Sequence, residues 1–177
     1  MRIIKVNATA STNILAREWY QSNPTKHPVC FVAQEQTRGR GQRGAGWVSN
    51  AGENLTFSVL HPFPGVEIKD QFKLSAGTGL AVFEAIKELN INKLKLKWPN
   101  DIMADGRKLG GILIENSFTG STIRSIIGIG LNVNQTDFTD LPYATSLQKV
   151  TGHFFEIDVL LELIVEKLKT GLTNLKG

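Results

Sequence analysis

The chain has 177 residues, of which 41% are hydrophobic and 20% are charged, as is typical of a single globular domain that buries its own core. It contains no apolar run of about 18 residues, which excludes a membrane-spanning helix, and its single cysteine, Cys30, excludes an internal disulfide framework. The formal net charge is +4, and the basic residues are scattered apart from a loop at residues 37–47 and alternating lysines at 93–97. Blocks of basic residues with interleaved aromatics are missing, which argues against a nucleic-acid groove. Because the N-terminus also lacks the apolar core of a signal peptide, we expect a cytoplasmic protein in which Cys30 is an inert core thiol.

Short strands and one helix are predicted for the first sixty residues. Residues 2–6 alternate as a strand, and Ser11 can cap a helix that ends near residues 22–24. Residues 29–36 and 54–60 have the apolar composition of two further strands, which we expect to form the arms of a hairpin-like unit.

The second half of the chain predicts more strands between two long helices. Its elements are a helix over residues 70–89, a half-buried strand over 93–98, a hairpin with arms 101–104 and 108–115 around an Asp-Gly turn, a strand over 122–133 and an amphipathic helix around 160–168. Leu80, Phe83, Ile86 and Leu89 mark the expected buried face of the first of these helices. Together the elements predict an α+β fold with a mixed, largely antiparallel sheet and helices packed mainly on one face.

A glycine- and arginine-rich loop at residues 37–47 separates the two arms of the hairpin-like unit. It holds four glycines and three arginines in eleven residues, a composition that disfavours regular structure because glycine there loses much conformational entropy. The same composition suits an anion-binding loop, since backbone N–H groups can turn inward and guanidinium groups match carboxylate or phosphate oxygens. The alternative is an exposed basic hairpin that binds nothing in particular. A dinucleotide-binding fingerprint is excluded, because a turn and a strand follow the loop where that fingerprint requires a helix.

Four separated segments carry a resemblance to one family. They are STN at residues 11–13, GRGQRGAGW at 39–47, KWPNDI at 97–102 with KLGGIL at 108–113, and GIGLNVN at 128–134. In this order and spacing they resemble the catalytic domain of biotin protein ligases, over roughly residues 5–170. The resemblance implies the fold of class II aminoacyl-tRNA synthetases and biotin synthetases.

The resemblance also implies a reaction in two steps. The carboxylate of biotin attacks the α-phosphate of ATP, with Mg²⁺ as counter-ion, and forms biotinyl-5′-AMP and pyrophosphate. A lysine amine on the biotin carboxyl carrier protein of a biotin-dependent carboxylase then attacks the mixed anhydride and releases AMP. Because no enzyme nucleophile is needed, the chain must supply orientation, positive charge around two anions and exclusion of water.

Three residues are the catalytic ones by this resemblance. Lys108 would neutralise charge as the carboxylate approaches the phosphate, although a solvated hairpin lysine is the alternative at that position. Arg40 would act in the same way from the loop. Asp101 would either hold Mg²⁺ or help the incoming lysine lose its proton, and the sequence leaves both roles open.

Further residues are assigned to the two ligands by the same resemblance. Those for biotin are Ser11, Thr12, Asn13, Gln36, Arg40, Gly41, Gln42, Lys108 and Gly111. Those for the nucleotide are Gly39, Arg43, Trp47, Asn100 and Asn132. Hydroxyl and amide groups suit the ureido ring of biotin because they both donate and accept hydrogen bonds. The alternatives are that Ser11 caps a helix, that Arg43 is an exposed counter-charge and that Trp47 belongs to the core, where we also expect Trp98.

The chain departs from many family members in two respects. Position 42 is glutamine where many members carry a further arginine, which predicts a loop that encloses the acyl-adenylate less firmly. Residues 1–177 are expected to form one catalytic domain, without the N-terminal helix-turn-helix domain or the small C-terminal β-barrel domain that relatives often carry.

Two other functions stay open at this point. One is a lipoate- or octanoate-protein ligase of the same fold, and the other is a non-catalytic sensor that binds biotin. The STN and KWPNDI segments favour biotin. We expect no nucleic-acid or membrane partner, and we expect a homodimer that closes by twofold symmetry through an exposed sheet edge.

Overall fold

A seven-stranded sheet is the scaffold of the protein in a computed structural model that describes residues 1–64, 68–119 and 122–173. Its strands are β1 (Arg2–Thr9), β2 (Val29–Gln36), β5 (Asn54–Pro64), β6 (Lys95–Lys97), β7 (Asp101–Ala104), β8 (Arg107–Thr119) and β9 (Thr122–Asn132). A separate two-stranded ladder consists of β3 (Gly39–Arg40) and β4 (Gly46–Trp47). The helices are α1 (Thr12–Ser22), α2 (Gln71–Lys87), α3 (Leu147–Thr151) and α4 (Ile157–Thr173).

The order of the strands in the sheet is β1-β2-β5-β9-β8-β7-β6. The pair β1 and β2 is parallel and the other pairs are antiparallel, so the predicted mixed, mainly antiparallel sheet is confirmed. β2 and β5 form the predicted hairpin-like unit. β7 and β8 form the predicted Asp-Gly hairpin, whose turn residues Asp105 and Gly106 have φ values of 48° and 77°, the left-handed conformation that a tight two-residue turn requires.

Two hydrophobic clusters lie on opposite faces of the sheet. Because successive side chains of a strand alternate, Cys30 and Val32 of β2 pack in the cluster that contains α2 and α4, whereas Val29 and Phe31 pack in the cluster that contains α1. The helices therefore cover mainly one face, as predicted, with α1 on the other. Burial raises the pKa of the Cys30 thiol to about 12, so almost no reactive thiolate forms at neutral pH. The prediction of an inert core thiol is confirmed.

Leu80 does not lie on the buried face of α2, and its prediction was wrong. It is 56% exposed, while Leu74, Val82 and Ile86 are buried. Small residues let α2 and α4 approach closely here, since a Cβ built at Gly171 of α4 would lie only 3.2 Å from the Cβ of Ala81. The buried stripe of α2 is therefore centred on small residues that a search for large apolar residues does not detect.

The predicted core position of Trp98 was also wrong. The residue follows β6, which is an edge strand of the sheet, and its side chain is 60% exposed. Its ring contacts that of Phe72, with 5.2 Å between centroids, and Phe72 is exposed as well.

None of the helices in the described part of the chain combines the length and the apolar character that a membrane crossing requires.

Candidate functional site

Most of the predicted site residues line one cavity. It has a volume of ≈ 230 Å³ and lies between the start of α1, the β3–β4 ladder and strands β8 and β9. The predicted residues in its lining are Ser11, Thr12, Asn13, Gln36, Arg40, Gly41, Gln42, Trp47, Asn100, Asp101, Lys108 and Gly111. Two cations from separate elements, Arg40 and Lys108, thus reach the same space.

Three predicted nucleotide-binding residues are not part of this lining as far as the structure describes it. Gly39 lies under the backbone of Trp47, whose carbonyl oxygen would collide with a Cβ at this position. Arg43 is exposed and has a φ of 54°. Asn132 is buried and donates from its amide nitrogen to the carbonyl oxygen of Thr145 at 3.0 Å. Their nucleotide-binding roles stay predictions.

The glycine- and arginine-rich loop is more regular than its composition predicts. Its ends pair as the β3–β4 ladder, and the Gly41 N–H donates to the carbonyl oxygen of Ala45 at 2.7 Å. The Thr37 N–H donates to Thr9 and the Arg38 N–H to Ala10, both at 2.9 Å. These bonds continue the parallel pairing of β1 and β2 into the loop, which offsets the entropic cost of its glycines.

Trp47 lies flat against the central strands of the sheet. A Cβ at Gly130 would come within 2.5 Å of Trp47 Cε2, and one at Gly111 within 3.7 Å of Cζ3. Asn13 and Trp47 occupy the space where Cβ atoms of Gly128 and Gly130 would lie, and both glycines line the cavity. Among the described residues, the buried indole Nε1 of Trp47 has no hydrogen-bond partner. Because a buried unpaired donor is costly, an acceptor on a ligand in this cavity would stabilise it.

Replacing Gly130 by alanine is expected to lower the free energy of unfolding by about 1–3 kcal/mol, since the added methyl group would push Trp47 off the sheet. Chemical denaturation monitored by tryptophan fluorescence measures this change. Gly46→Ala in the same loop is the matched control, because its Cβ would meet nothing closer than an oxygen at 3.9 Å. Equal stabilities of the two variants would contradict the assigned packing.

Lys108 is held by both its main chain and its side chain. Its N–H donates to the Tyr143 carbonyl oxygen at 2.7 Å, and its carbonyl oxygen accepts from the Thr145 N–H at 2.9 Å. Its Nζ lies 2.8 Å from Asp101 Oδ1 and 6.0 Å from the centre of the Trp47 ring. The ammonium is therefore oriented before any ligand enters, and Asp101 has a contact that the sequence did not predict.

Arg40 forms an ion pair with Glu115 of β8. Its Nη1 lies 3.3 Å from Glu115 Oε1, and the same carboxylate oxygen accepts from Arg17 Nη2 at 2.9 Å. Both cations that reach the cavity are thus paired with carboxylates on the sheet. An anionic ligand would have to compete with these carboxylates.

Neutral polar side chains gather at the α1 end of the cavity. Gln36 Oε1 accepts from the backbone N–H of Thr12 at 2.8 Å and lies 3.1 Å from the Thr12 hydroxyl. Because that N–H requires an acceptor, the oxygen of Gln36 faces Thr12 and its amide nitrogen faces away. Ser11 is buried in this region, and within the described residues its side chain forms no capping hydrogen bond to α1. Ser11 therefore occupies the N-cap position of α1, as the capping alternative predicts, but its side chain does not supply the cap.

Ser58 and Glu115 belong to this region but were missed by sequence reasoning. The fully buried Ser58 hydroxyl donates to Asn13 Oδ1 at 2.6 Å and lies 2.7 Å from the Thr12 hydroxyl. A small polar residue between the apolar Phe57 and Val59 was the available signal, because a buried hydroxyl requires a partner. For Glu115 the signal was an acidic residue within an apolar strand.

The acidic side chains do not form a metal site by themselves. Within the described ranges, no group of three or more His, Cys, Asp or Glu side chains could hold a metal ion. Mg²⁺ commonly binds through one or two carboxylates together with substrate phosphates and water. Asp101 is the carboxylate in the described lining, so the residues present fit an ion that arrives with a nucleotide.

Comparisons with known proteins identify the family to which the chain is similar. The sequence matches the biotin/lipoate A/B protein ligase family over residues 5–132. The bifunctional ligase/repressor BirA of Bacillus subtilis (strain 168) is 35% identical over 155 residues, which cover 85% of this chain and 47% of that protein. The chain spans about half the length of the curated relatives it matches.

Solved structures show the same likeness. Biotin protein ligase from Aquifex aeolicus in complex with biotin and ATP has a TM-score of 0.82 at 30% identity, over 97% of this chain and 70% of that one. Biotin protein ligase from Leishmania major in complex with biotinyl-5-AMP has a TM-score of 0.78 at 28% identity, over 94% of this chain and 73% of that one. By sequence, and with this support from its fold, the chain belongs to the biotin/lipoate A/B protein ligase family.

Proposed function

We propose that the chain is an ATP-dependent biotin protein ligase that forms biotinyl-5′-AMP and transfers biotin to a lysine of a biotin carboxyl carrier protein. The observation that carries the proposal is the shared cavity, in which the cations Arg40 and Lys108 meet the neutral polar groups around Thr12 and Gln36. The complexes of relatives with biotin, ATP and biotinyl-5-AMP support it.

The first step requires two anions to meet. The carboxylate of biotin and the α-phosphate of ATP repel each other, and fixed cations between them reduce that repulsion most in the transition state. Lys108 is pre-oriented for this role by its contacts with Asp101 and with the main chain of Tyr143. Arg40 adds a guanidinium from the loop side, where its planar geometry suits carboxylate or phosphate oxygens.

The α1 end of the cavity favours biotin over lipoate. The amide nitrogen of Gln36 and the hydroxyl of Ser11 would pair with the ureido ring, which carries one acceptor and two donors. The dithiolane ring of lipoate would leave these groups unpaired, at a cost of about 1–3 kcal/mol for the buried Ser11 hydroxyl and less for the half-buried Gln36. This difference is the reason to prefer a biotin ligase to the lipoate or octanoate ligase.

The remaining parts of the proposal concern the second step and its setting. Asp101 would hold Mg²⁺ that arrives with ATP or accept the proton of the carrier lysine, and in either role it also orients Lys108.

We infer that the chain forms one catalytic domain, since strands from Arg2 to Asn132 enter a single sheet on which α4 packs. We also infer a cytoplasmic location, because the reaction consumes ATP, and we keep the homodimer as a prediction.

Thermal unfolding with ligands and a transfer assay test this function. Biotin with ATP is expected to raise the melting temperature above that with ATP alone, because a ligand at about 100 times its Kd stabilises a protein by about 2.7 kcal/mol, whereas lipoate is expected to add nothing to the effect of ATP. Labelled biotin should then appear on an added carrier domain. Stabilisation without transfer would favour the non-catalytic sensor, and stabilisation by lipoate would favour the lipoate ligase.

Replacing Gln42 by arginine is expected to reduce escape of biotinyl-5′-AMP from the protein by roughly tenfold or more, since a charge-assisted hydrogen bond contributes about 1.5–3 kcal/mol. Gln42 lines the cavity, so an arginine there could reach the acyl-adenylate. Trapping with hydroxylamine measures the escaped intermediate. Gln34→Arg adds the same charge at an exposed position outside the described lining, and equal leakage from both variants would contradict the prediction.

A further inference from the structure

The carboxylate of Glu115 joins three side chains beside the cavity. Oε1 accepts from Arg17 Nη2 at 2.9 Å and lies 3.3 Å from Arg40 Nη1, while Oε2 accepts from Asn13 Nδ2 at 2.8 Å. The side chain of Glu115 is 23% exposed, and those of Arg40 and Arg17 are 44% and 48% exposed, so water reaches the guanidinium groups and each ion pair adds little to stability. Glu115 itself is not among the described lining residues.

The position of this carboxylate is fixed by the scaffold and not by Arg40. Glu115 lies in β8 opposite Ile126 of β9, inside the continuous pairing of the two strands. Asn13 is fixed in turn, because its Oδ1 accepts from Ser58 and its amide group lies where a Cβ of Gly128 would be. Arg40, in contrast, lies in a strand of two residues in a separate ladder. The sheet and α1 therefore hold the guanidinium of Arg40 through Glu115.

The charges around Glu115 allow Arg40 to be released. Two guanidinium groups share one carboxylate oxygen, and Asn13 donates to the other. If Arg40 turns to an anion in the cavity, Arg17 and Asn13 still satisfy the carboxylate. The exchange leaves no unpaired charge behind, which would otherwise be costly for a mostly buried group.

We propose that Glu115 is a positioning residue that holds Arg40 at the cavity wall before substrate binds, and that Arg17 retains the carboxylate when Arg40 engages the substrate anion. The proposal rests on the proposed biotin ligase function for the identity of that anion. Because Glu115 already orders the Arg40 side chain, less conformational entropy of that side chain is lost when substrate binds.

Glu115→Gln is the direct test, because it keeps the size of the side chain and its acceptor for Asn13 but removes the charge. The KM for biotin in pyrophosphate exchange is expected to rise roughly two- to tenfold, because substrate binding must then order one flexible side chain. The kcat should be nearly unchanged. In the ligand-free protein, the NMR order parameter of the Arg40 Nε–H group should fall. Glu166→Gln, which removes the exposed pair with Lys169, is the matched control and should change neither quantity.

Two further variants separate positioning from a structural role. In an Arg40→Ala background, Glu115→Gln should have no further effect on KM, whereas a purely structural effect would add to that of Arg40→Ala. Arg17→Ala should leave Arg40 ordered but raise the KM for biotin, because release of Arg40 would then leave Glu115 Oε1 without a partner. This second variant keeps the proposal testable if Glu115→Gln does not fold.

Three results would overturn the proposal: additive effects, a fall in KM for Glu115→Gln, or an unchanged order parameter of Arg40. Failure of the proposed function would look different. The wild-type protein would then show no biotin-dependent exchange, while the order parameters of Arg40 in the wild type and in Glu115→Gln would still decide whether Glu115 holds this side chain.

Discussion

Replacing Lys108 by alanine is expected to slow biotin-dependent ATP–pyrophosphate exchange by at least 10²–10³-fold, or about 3–4 kcal/mol, the usual effect of losing one electrostatic donor in a preorganised site. A further loss is expected here because the ammonium lies 2.8 Å from Asp101. Without Lys108, the carboxylate of Asp101 would face two substrate anions, and Arg40 would be the one cation left in the described lining. Exchange of labelled pyrophosphate into ATP measures the first step alone.

The chain offers a matched control for this variant. Lys93 forms an equally short ion pair, 2.8 Å, with Asp105 in the turn of the same hairpin, but it is exposed and outside the cavity lining. Lys93→Ala should therefore retain wild-type exchange. Exchange by Lys108→Ala at the level of Lys93→Ala would show that the role assigned to Lys108 is wrong.

Replacing Arg40 by alanine is expected to reduce kcat/KM for biotin in the same exchange assay by roughly 10²-fold, as for other single electrostatic donors. The variant should unfold at nearly the wild-type temperature, because Arg17 and Asn13 continue to pair with Glu115 and exposed ion pairs contribute at most about 1 kcal/mol. A large loss of activity without a loss of stability separates a role in the site from a role in the fold.

Arg38→Ala is the control for the charge of the loop. Arg38 is an exposed arginine two residues away that is not part of the described lining. If general positive charge attracted the substrates, both variants would lose activity to a similar extent and both losses would diminish in high salt. A loss confined to Arg40→Ala is the expected result.

Local patterns were sufficient to predict most of the sheet. The Asp-Gly turn and its arms predicted the β7–β8 hairpin because the turn residues themselves require left-handed φ values. The exposed positions of Leu80 and Trp98 could not be predicted in this way. They depend on how closely α2 approaches α4 and on which strand lies at the edge, and both properties arise only when distant elements pack.

The same distinction applies to the candidate site. Segments with informative residues, such as those of Arg40, Asp101 and Lys108, could be identified along the chain, and they line one cavity. Ser58 and Glu115 stand out in their strands as polar residues, but the sequence does not show what they contact, because their partner Asn13 is separated from them by 45 and 102 residues. Contacts across a sheet depend on strand order and register, which no short motif encodes.

Because the Cys30 thiol is buried and unreactive, a single dye can be attached elsewhere in the chain to follow ligand entry. The chain contains one cysteine, and that thiol is fully buried and remains protonated at neutral pH. A second thiol introduced at an exposed site would therefore be the one that maleimide dyes modify. Val48 is next to Trp47 and is 67% exposed. A fluorophore on Val48→Cys would therefore lie at the end of the glycine- and arginine-rich loop and report its motion, and the native cysteine could stay in place.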